Sequence, residues 1–151
     1  EDGKLYLVYH QSFAKSGELH LPRVHQLFRT KDGWLVAAPF ATDGETLKED
    51  GYSGDEIQGT FYLVNHGTDI SDRVHKPQRI QLNADGTVTG EELEGKWEAE
   101  EGTPYIDVTL GENTYTGVVL EMTDEAGNDT MCFSAKGDNN ETIWGVKYLL
   151  P

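Results

Sequence analysis

The chain lacks several features that would define a function directly. It has one cysteine, few basic residues (12 Lys and Arg against 27 Asp and Glu) and no long apolar run. Cys132 cannot form an internal disulfide, and a packed apolar thiol is predicted because it lies in a strand-like segment. No stretch approaches the ~20 apolar residues of a membrane span. The net charge of −15 repels phosphate backbones and anionic lipid, so neither nucleic acid nor membrane is an expected partner.

Helical periodicity is also missing, and strand periodicity takes its place. Lys4–His10, Arg23–Thr30 and Trp34–Phe40 are rich in valine, leucine and aromatic residues, as β-strands are. Asp32–Gly33 joins the last two segments, and glycine accepts the positive φ that a hairpin turn requires. These segments therefore predict a three-stranded antiparallel sheet.

An acidic spacer at residues 41–56 has few apolar residues and marks the predicted boundary between two units. Strand-like segments then return at short spacing: Ile57–Asn65, Arg79–Asn83, Gly86–Thr89, Gly95–Glu100, Tyr105–Leu110, Thr114–Met122, Thr130–Lys136 and Thr142–Leu149. Eight such strands fit either a sandwich or a closed up-and-down barrel. Short sequential connections favour the barrel, filled by its own side chains.

The predicted fold is therefore all-β, with an eight-stranded antiparallel barrel preceded by a three-stranded antiparallel sheet. The predicted parts are residues 1–40 for the sheet, residues 41–56 for the spacer and residues 57–151 for the barrel.

No complete catalytic or metal-binding motif is visible. The histidines lack the spacing of metal ligands, and a structural role is predicted for each: His10, His20, His25, His66 and His75. Adjacent acids such as Glu49–Asp50 and Glu91–Glu92 lie in the spacer and in turns, which indicates solvated surface groups rather than catalytic pairs. Asp124–Asp129 is acidic, but it lacks the spacing of a known calcium loop, so a hairpin turn is predicted.

Aromatic side chains are the remaining candidates for binding. Their flat apolar faces suit stacking against the C–H faces of sugars, although burial in a core is the competing interpretation. The candidate carbohydrate-binding residues are Trp34, Trp97, Tyr52 and Tyr105. Trp144 alternates with Val146 and Tyr148 in a strand-like run, and a core position is favoured for it.

Several motifs together resemble one family. They include YLVYHQSF at Tyr6–Phe13, RVHQLFRTKDGWLVAAPF at Arg23–Phe40, NADGTVTG at Asn83–Gly90 and IWGVK at Ile143–Lys147. In their order and spacing they resemble extracellular endo-α-1,5-L-arabinanases of glycoside hydrolase family 43. The resemblance implies that the segment before the spacer is the end of a five-bladed catalytic propeller. It also implies a lipocalin-like topology for the barrel.

The same resemblance bears on catalysis. The family's three catalytic acids, and the histidine that holds calcium in the propeller, lie upstream of the matched residues, and no residue here corresponds to them. We therefore expect no activity from this chain alone, no catalytic or metal residue and no cofactor. The chain opens Glu1-Asp2-Gly3 without methionine, which indicates a mature or excised fragment.

The resemblance and the charge together predict a non-catalytic accessory module of a secreted arabinan-degrading enzyme. It would support the propeller, bind arabinan-type polysaccharide, or do both, because a neutral polymer meets no electrostatic penalty. The alternatives are a small-molecule-binding lipocalin-like barrel and, more weakly, part of an active arabinan hydrolase chain. Three isolated propeller strands would expose an edge and an apolar face, so we expect them to pack on the barrel or, less favourably, to pair in a weak homodimer.

Overall fold

The computed structural model describes residues 3–12, 20–41, 44–70 and 74–148, and it is all-β, as predicted. The strands are β1 (Leu5–Ser12), β2 (His20–Arg29), β3 (Leu35–Ala37), β4 (Gly59–Asn65), β5 (Gln78–Leu82), β6 (Thr87–Gly90), β7 (Glu94–Ala99), β8 (Tyr105–Leu110), β9 (Asn113–Thr123), β10 (Asp129–Gly137) and β11 (Thr142–Lys147). One helical turn, α1 (Gly54–Ile57), precedes β4. Within these residues no helix is long and apolar enough to cross a membrane.

Strands β1, β2 and β3 form the predicted antiparallel sheet, with β2 in the middle. The turn between β2 and β3 is the predicted Asp32–Gly33 hairpin. Gly33 has a φ of +89°, and its N–H donates to the carbonyl oxygen of Thr30 at 2.9 Å. Only glycine adopts this backbone conformation without steric cost.

Strands β4 to β11 form a closed barrel, which resolves the choice between sandwich and barrel. Each strand pairs with the next along the chain, and β11 pairs with β4 to complete the cylinder. Closure leaves the barrel no unpaired edge. At the centre, the rings of Phe61 and Phe133 lie 5.5 Å apart, and both side chains are fully buried.

The barrel interior is filled by its own side chains. The buried cluster includes Leu63, Ile80, Leu82, Val88, Ile106, Val108, Val119, Met131 and Ile143. This packing argues against a carrier with a ligand enclosed at the barrel centre. At one end α1 adds Ile57 to the cluster, and its N-terminus has a capping box in which Ser53 and Glu56 bond each other's backbone N–H groups.

The sheet packs on the outside of the barrel, one of the two predicted arrangements. A second buried cluster joins β2, β3 and the segment after β3 to β9 and β10: Phe28, Val36, Ala38, Val118, Leu120, Met122 and Cys132. The carbonyl oxygen of Ala37 accepts hydrogen bonds from Ser134 Oγ at 2.7 Å and from Trp144 Nε1 at 2.8 Å. Lys31 also pairs with Asp107 on the barrel.

The acidic spacer follows the protein surface and is anchored along its described part. The Gln26 amide bonds the backbone of Glu45 twice, donating to its oxygen at 2.9 Å and accepting from its nitrogen at 2.6 Å. Leu47 packs on the cluster between sheet and barrel. Tyr52 packs against the barrel core, so residues 44–56 form part of the folded unit.

Candidate functional site

Strand β1 presents an unusual apolar surface. Leu5, Tyr6, Leu7, Val8 and Tyr9 are each between 39% and 67% exposed, although consecutive strand residues point to opposite faces. Strand β1 pairs with β2 on one side, and its other edge pairs with none of the described strands. An exposed apolar strand with a free edge is a typical docking surface for another chain segment. We call residues 5–9 the β1 surface.

A group of rings joins this sheet to the barrel. His25 on β2 stacks on Trp144 of β11, with ring centroids 5.4 Å apart. His66 approaches the same indole edge-on at 4.3 Å. Tyr9 stacks on His25 at 5.8 Å, and its hydroxyl lies 3.3 Å from His25 Nε2. His25 is buried, and its Nδ1 lies 2.7 Å from the carbonyl oxygen of Ala38.

His66 lies at this junction in surroundings that disfavour its protonation. Its Nε2 is buried without a hydrogen-bond partner among the described residues. Burial lowers the pKa of His66, and the nearby His75 and His25 lower it further. Below the ordinary value of 6.5, the unfolded chain therefore binds a proton that the folded chain resists.

We expect the contribution of His66 to the folding stability to be fully present above about pH 6.5 and to decrease as the pH falls below it. Denaturant unfolding of the wild type and His66→Asn between about pH 5 and pH 8 measures this, and the variant should lose part of the slope. His20→Asn, at an exposed histidine, is the matched control. An unchanged slope in His66→Asn would assign the pH dependence to other groups.

A second polar cluster lies at the end of the barrel opposite α1. One carboxylate oxygen of Glu141, Oε2, accepts hydrogen bonds from Asn65 Nδ2 and Asn139 Nδ2, both at 2.8 Å, and from the Tyr115 hydroxyl at 3.0 Å. The Asn65 bond, followed by those from Tyr115 and Asn139, holds the pKa of Glu141 below its ordinary value. Oε1 of Glu141 accepts no hydrogen bond within the described part of the chain.

These residues line a cavity of about 480 Å³, which we call the barrel mouth. Its polar wall includes Asn65, Gln78, Asn113, Tyr115 and Glu141, with His75 and Lys76 at the rim, and its apolar floor consists of Leu63, Leu93 and Leu110. The volume falls within the range of small-molecule sites. Sequence reasoning missed this site, because its residues come from distant segments.

The four candidate carbohydrate-binding aromatics occupy different surroundings. Trp34 is 57% exposed, with Lys136 Nζ 4.6 Å from its ring centroid. Trp97 is buried in the barrel core, and its Nε1 donates to the carbonyl oxygen of Asn83 at 2.8 Å, so its ring faces are not open to a sugar.

The two tyrosines are half-buried. Tyr52 packs against the barrel core, and its hydroxyl accepts from the Glu121 N–H at 3.3 Å. Tyr105 packs against the cluster beneath the sheet. Trp144, for which a core position was predicted, instead lies on the outer face of the barrel and contacts the sheet. The alternation of β11 sends Ile143, not Trp144, into the interior.

The other polar candidates have structural surroundings. Asp124 closes a hairpin turn, as predicted: its Oδ1 accepts from the N–H groups of Ala126 at 2.8 Å and Asn128 at 2.9 Å. Cys132 is fully buried, and burial raises its pKa to about 12, so a reactive thiolate does not form near neutral pH. Among the described residues no three His, Cys, Asp or Glu side chains are grouped as metal ligands.

The architecture defines a lipocalin-like barrel with a three-stranded sheet packed on its side. A family model described as the C-terminal lipocalin-like domain, GH43_C, matches residues 39–145. The chain therefore belongs to glycoside hydrolase family 43, as the C-terminal domain of arabinanase-like proteins.

Two curated relatives agree with this placement. Extracellular endo-α-(1→5)-L-arabinanase 2 of Bacillus subtilis is 42% identical over 146 residues, covering 96% of this chain and 30% of the relative. The extracellular endo-α-(1→5)-L-arabinanase of Thermotoga petrophila is 37% identical over 150 residues, covering 97% of this chain and 31% of the relative. The chain thus spans about a third of the length of these relatives.

Solved structures match the whole arrangement of sheet and barrel. A glycoside hydrolase family 43 protein of Bacillus licheniformis superposes with a TM-score of 0.88 at 35% identity, covering 99% of this chain and 33% of the other. The endo-1,5-α-L-arabinanase of Thermotoga petrophila gives a TM-score of 0.88 at 36% identity, covering 97% of this chain and 33% of the other. Both matches therefore include the sheet as well as the barrel.

Proposed function

We propose that this chain is a non-catalytic accessory module of a secreted arabinan-degrading glycoside hydrolase, and that it supports the catalytic propeller. The β1 surface carries this proposal. Five consecutive side chains of β1 are between 39% and 67% exposed, and the outer edge of β1 pairs with none of the described strands, while β2 and β3 pack on the barrel. The extracellular names of the relatives favour secretion.

The packing of the sheet on the side of the barrel explains how the barrel can support a second domain. Strand β2 contacts β1 on one edge and, through Phe28 and His25, the barrel side. A blade that ends in β1–β3 would therefore be held to the barrel by buried packing, not by a loose linker. Buried apolar contacts of this kind stabilise by roughly 25 cal/mol for each Å² removed from water.

A chimera tests the supporting role. The C-terminal part of the Bacillus subtilis arabinanase that matches this chain is replaced by this chain, and release of reducing sugar from linear arabinan is measured. We expect the chimera to be active and the chain alone to be inactive. Val8→Asp places a charge on the β1 surface, where Val8 is 67% exposed, and should lower the melting temperature and the activity of the chimera.

The control for that substitution is Val74→Asp in the same chimera, because Val74 is 90% exposed and lies outside the β1 surface. Equal effects of the two substitutions, or an inactive chimera that is folded, would contradict the supporting role. Hydrolysis of arabinan by the chain alone would instead support the weaker alternative of a catalytic chain.

A second role, binding of arabinan-type polysaccharide, is favoured by Trp34. Of the four aromatic candidates it alone has a largely exposed ring, and Lys136 Nζ lies 4.6 Å from its centroid. An exposed aromatic face suits stacking against a sugar, and a cation–π contact favours the observed ring position. The strong negative charge of the protein does not oppose a neutral polymer.

A further inference from the structure

We propose that the barrel mouth is a binding site for a neutral, polyhydroxylated ligand the size of one or a few sugar units. This assignment rests on the second proposed role, sugar binding, and gives it a site other than Trp34. The first step of the argument is the fixed carboxylate. Three donors from different strands and loops hold Glu141 Oε2, so the position of Oε1 is fixed before any ligand arrives.

The second step is the set of polar groups without internal partners. In the described structure the side chains of Lys76, Gln78 and Asn113 make no hydrogen bond or ion pair, yet all three line the same cavity. Together with Glu141 Oε1 they offer donors and acceptors around one space. A ligand with several hydroxyl groups can satisfy both kinds, because each hydroxyl donates once and accepts as well.

The third step concerns the charged residues and the leucine side chains that line the cavity. One anion, Glu141, and one cation, Lys76, line the cavity, and this near balance contrasts with the net charge of −15 for the whole chain. A neutral ligand therefore fits better than an anion or a cation. The floor of Leu63, Leu93 and Leu110 provides an apolar surface for the C–H face of a sugar ring.

The fourth step is rigidity. Gly137 lies where a Cβ atom would come within 2.3 Å of Asn139 Oδ1 and 2.8 Å of the Tyr115 ring. Asn139 in turn accepts from the Glu141 N–H at 3.1 Å. The part of the polar wall formed by Tyr115 and Glu141 is thus packed against the barrel, and preorganised groups lose little entropy on binding.

Calorimetry and ¹⁵N chemical-shift mapping with linear arabinotriose test the proposal on the whole chain, with maltotriose as the comparison sugar. We expect saturable binding, with shifts at Asn65, Asn113 and Gln78. The double variant Lys76→Ala, Gln78→Ala should weaken binding by about tenfold or more, as expected for loss of two hydrogen bonds to the ligand. Both side chains are exposed and make no hydrogen bond with the described residues, so the variant should fold normally.

Glu91→Gln is the matched control, because Glu91 is exposed and lies outside the barrel mouth, and it should bind as the wild type does. Binding lost in Trp34→Ala but retained in the double variant would overturn the barrel mouth while preserving sugar binding. Absence of saturable binding by either sugar would overturn both. Neither result would bear on the proposed support of the catalytic propeller, which the chimera tests separately.

Discussion

Phe133→Ala is expected to destabilise the barrel by about 3–5 kcal/mol, the range for deleting a buried phenylalanine. The side chain is fully buried, contacts Phe61 across the centre, and lies against the backbone of Gly145. Its loss leaves a cavity between strands of a closed cylinder. Because every barrel strand pairs on both sides, the strands cannot collapse inward without breaking pairing.

Thermal and denaturant unfolding measure this effect, and the melting temperature should fall by roughly 10 °C. Val74→Ala is the control, since Val74 is 90% exposed and its truncation should change stability by less than about 0.5 kcal/mol. A loss below about 1 kcal/mol in Phe133→Ala would mean that the interior repacks freely, contrary to a tightly filled barrel.

Trp144→Ala is expected to release the three-stranded sheet while leaving the barrel folded. The indole stacks on His25, contacts His66 and donates to the carbonyl oxygen of Ala37. Truncation removes all three contacts and should cost about 3 kcal/mol, the lower end for Trp→Ala because the ring is half-buried. Amide exchange of β1–β3 should then accelerate by roughly a hundredfold, with little change in β5–β8.

Trp34→Ala serves as the comparison, because it removes the same side chain from an exposed position and should leave the exchange pattern unchanged. Equal acceleration in sheet and barrel after Trp144→Ala would show that the two unfold as one cooperative unit. In that case the contacts of Phe28 and Val36 with β9 and β10 would hold the sheet on the barrel more strongly than the contacts of the Trp144 indole do.

The strand order was accessible from sequence because alternation and turn residues are local signals. The Asp32–Gly33 and Asp124–Asp129 turns were both predicted, and so was the barrel, since short connections leave few other ways to pair eight strands. Alternation separates two faces of a strand but does not say which face is interior. Trp144 shows the difference, because both faces of β11 are covered, one by the core and one by the sheet.

Local sequence signals predict neither which aromatic candidates are buried nor which residues form the barrel mouth. Trp97 is the one large apolar residue in β7, and its neighbours favour neither face. Glu141 meets Asn65 across 76 positions of sequence and Tyr115 across 26. These contacts depend on the pairing register of the barrel strands, which cannot be read from a single sequence. The Gly145 contact with Phe133 is similar, because a strand glycine reveals a close approach but not its partner.

The pairing of β11 with both β10 and β4 also has a consequence for biosynthesis. Synthesis delivers the N-terminal strands first, yet the surface that receives β2 and β3 is built from β9 and β10, and the cylinder remains unsealed until β11 emerges. Strands β2 and β3 therefore cannot be covered by the barrel until nearly its last strands have been made. A ribosomal stall within β10 would leave the cylinder unclosed and β2 and β3 without the complete barrel surface on which they pack. Such nascent chains would depend on chaperones.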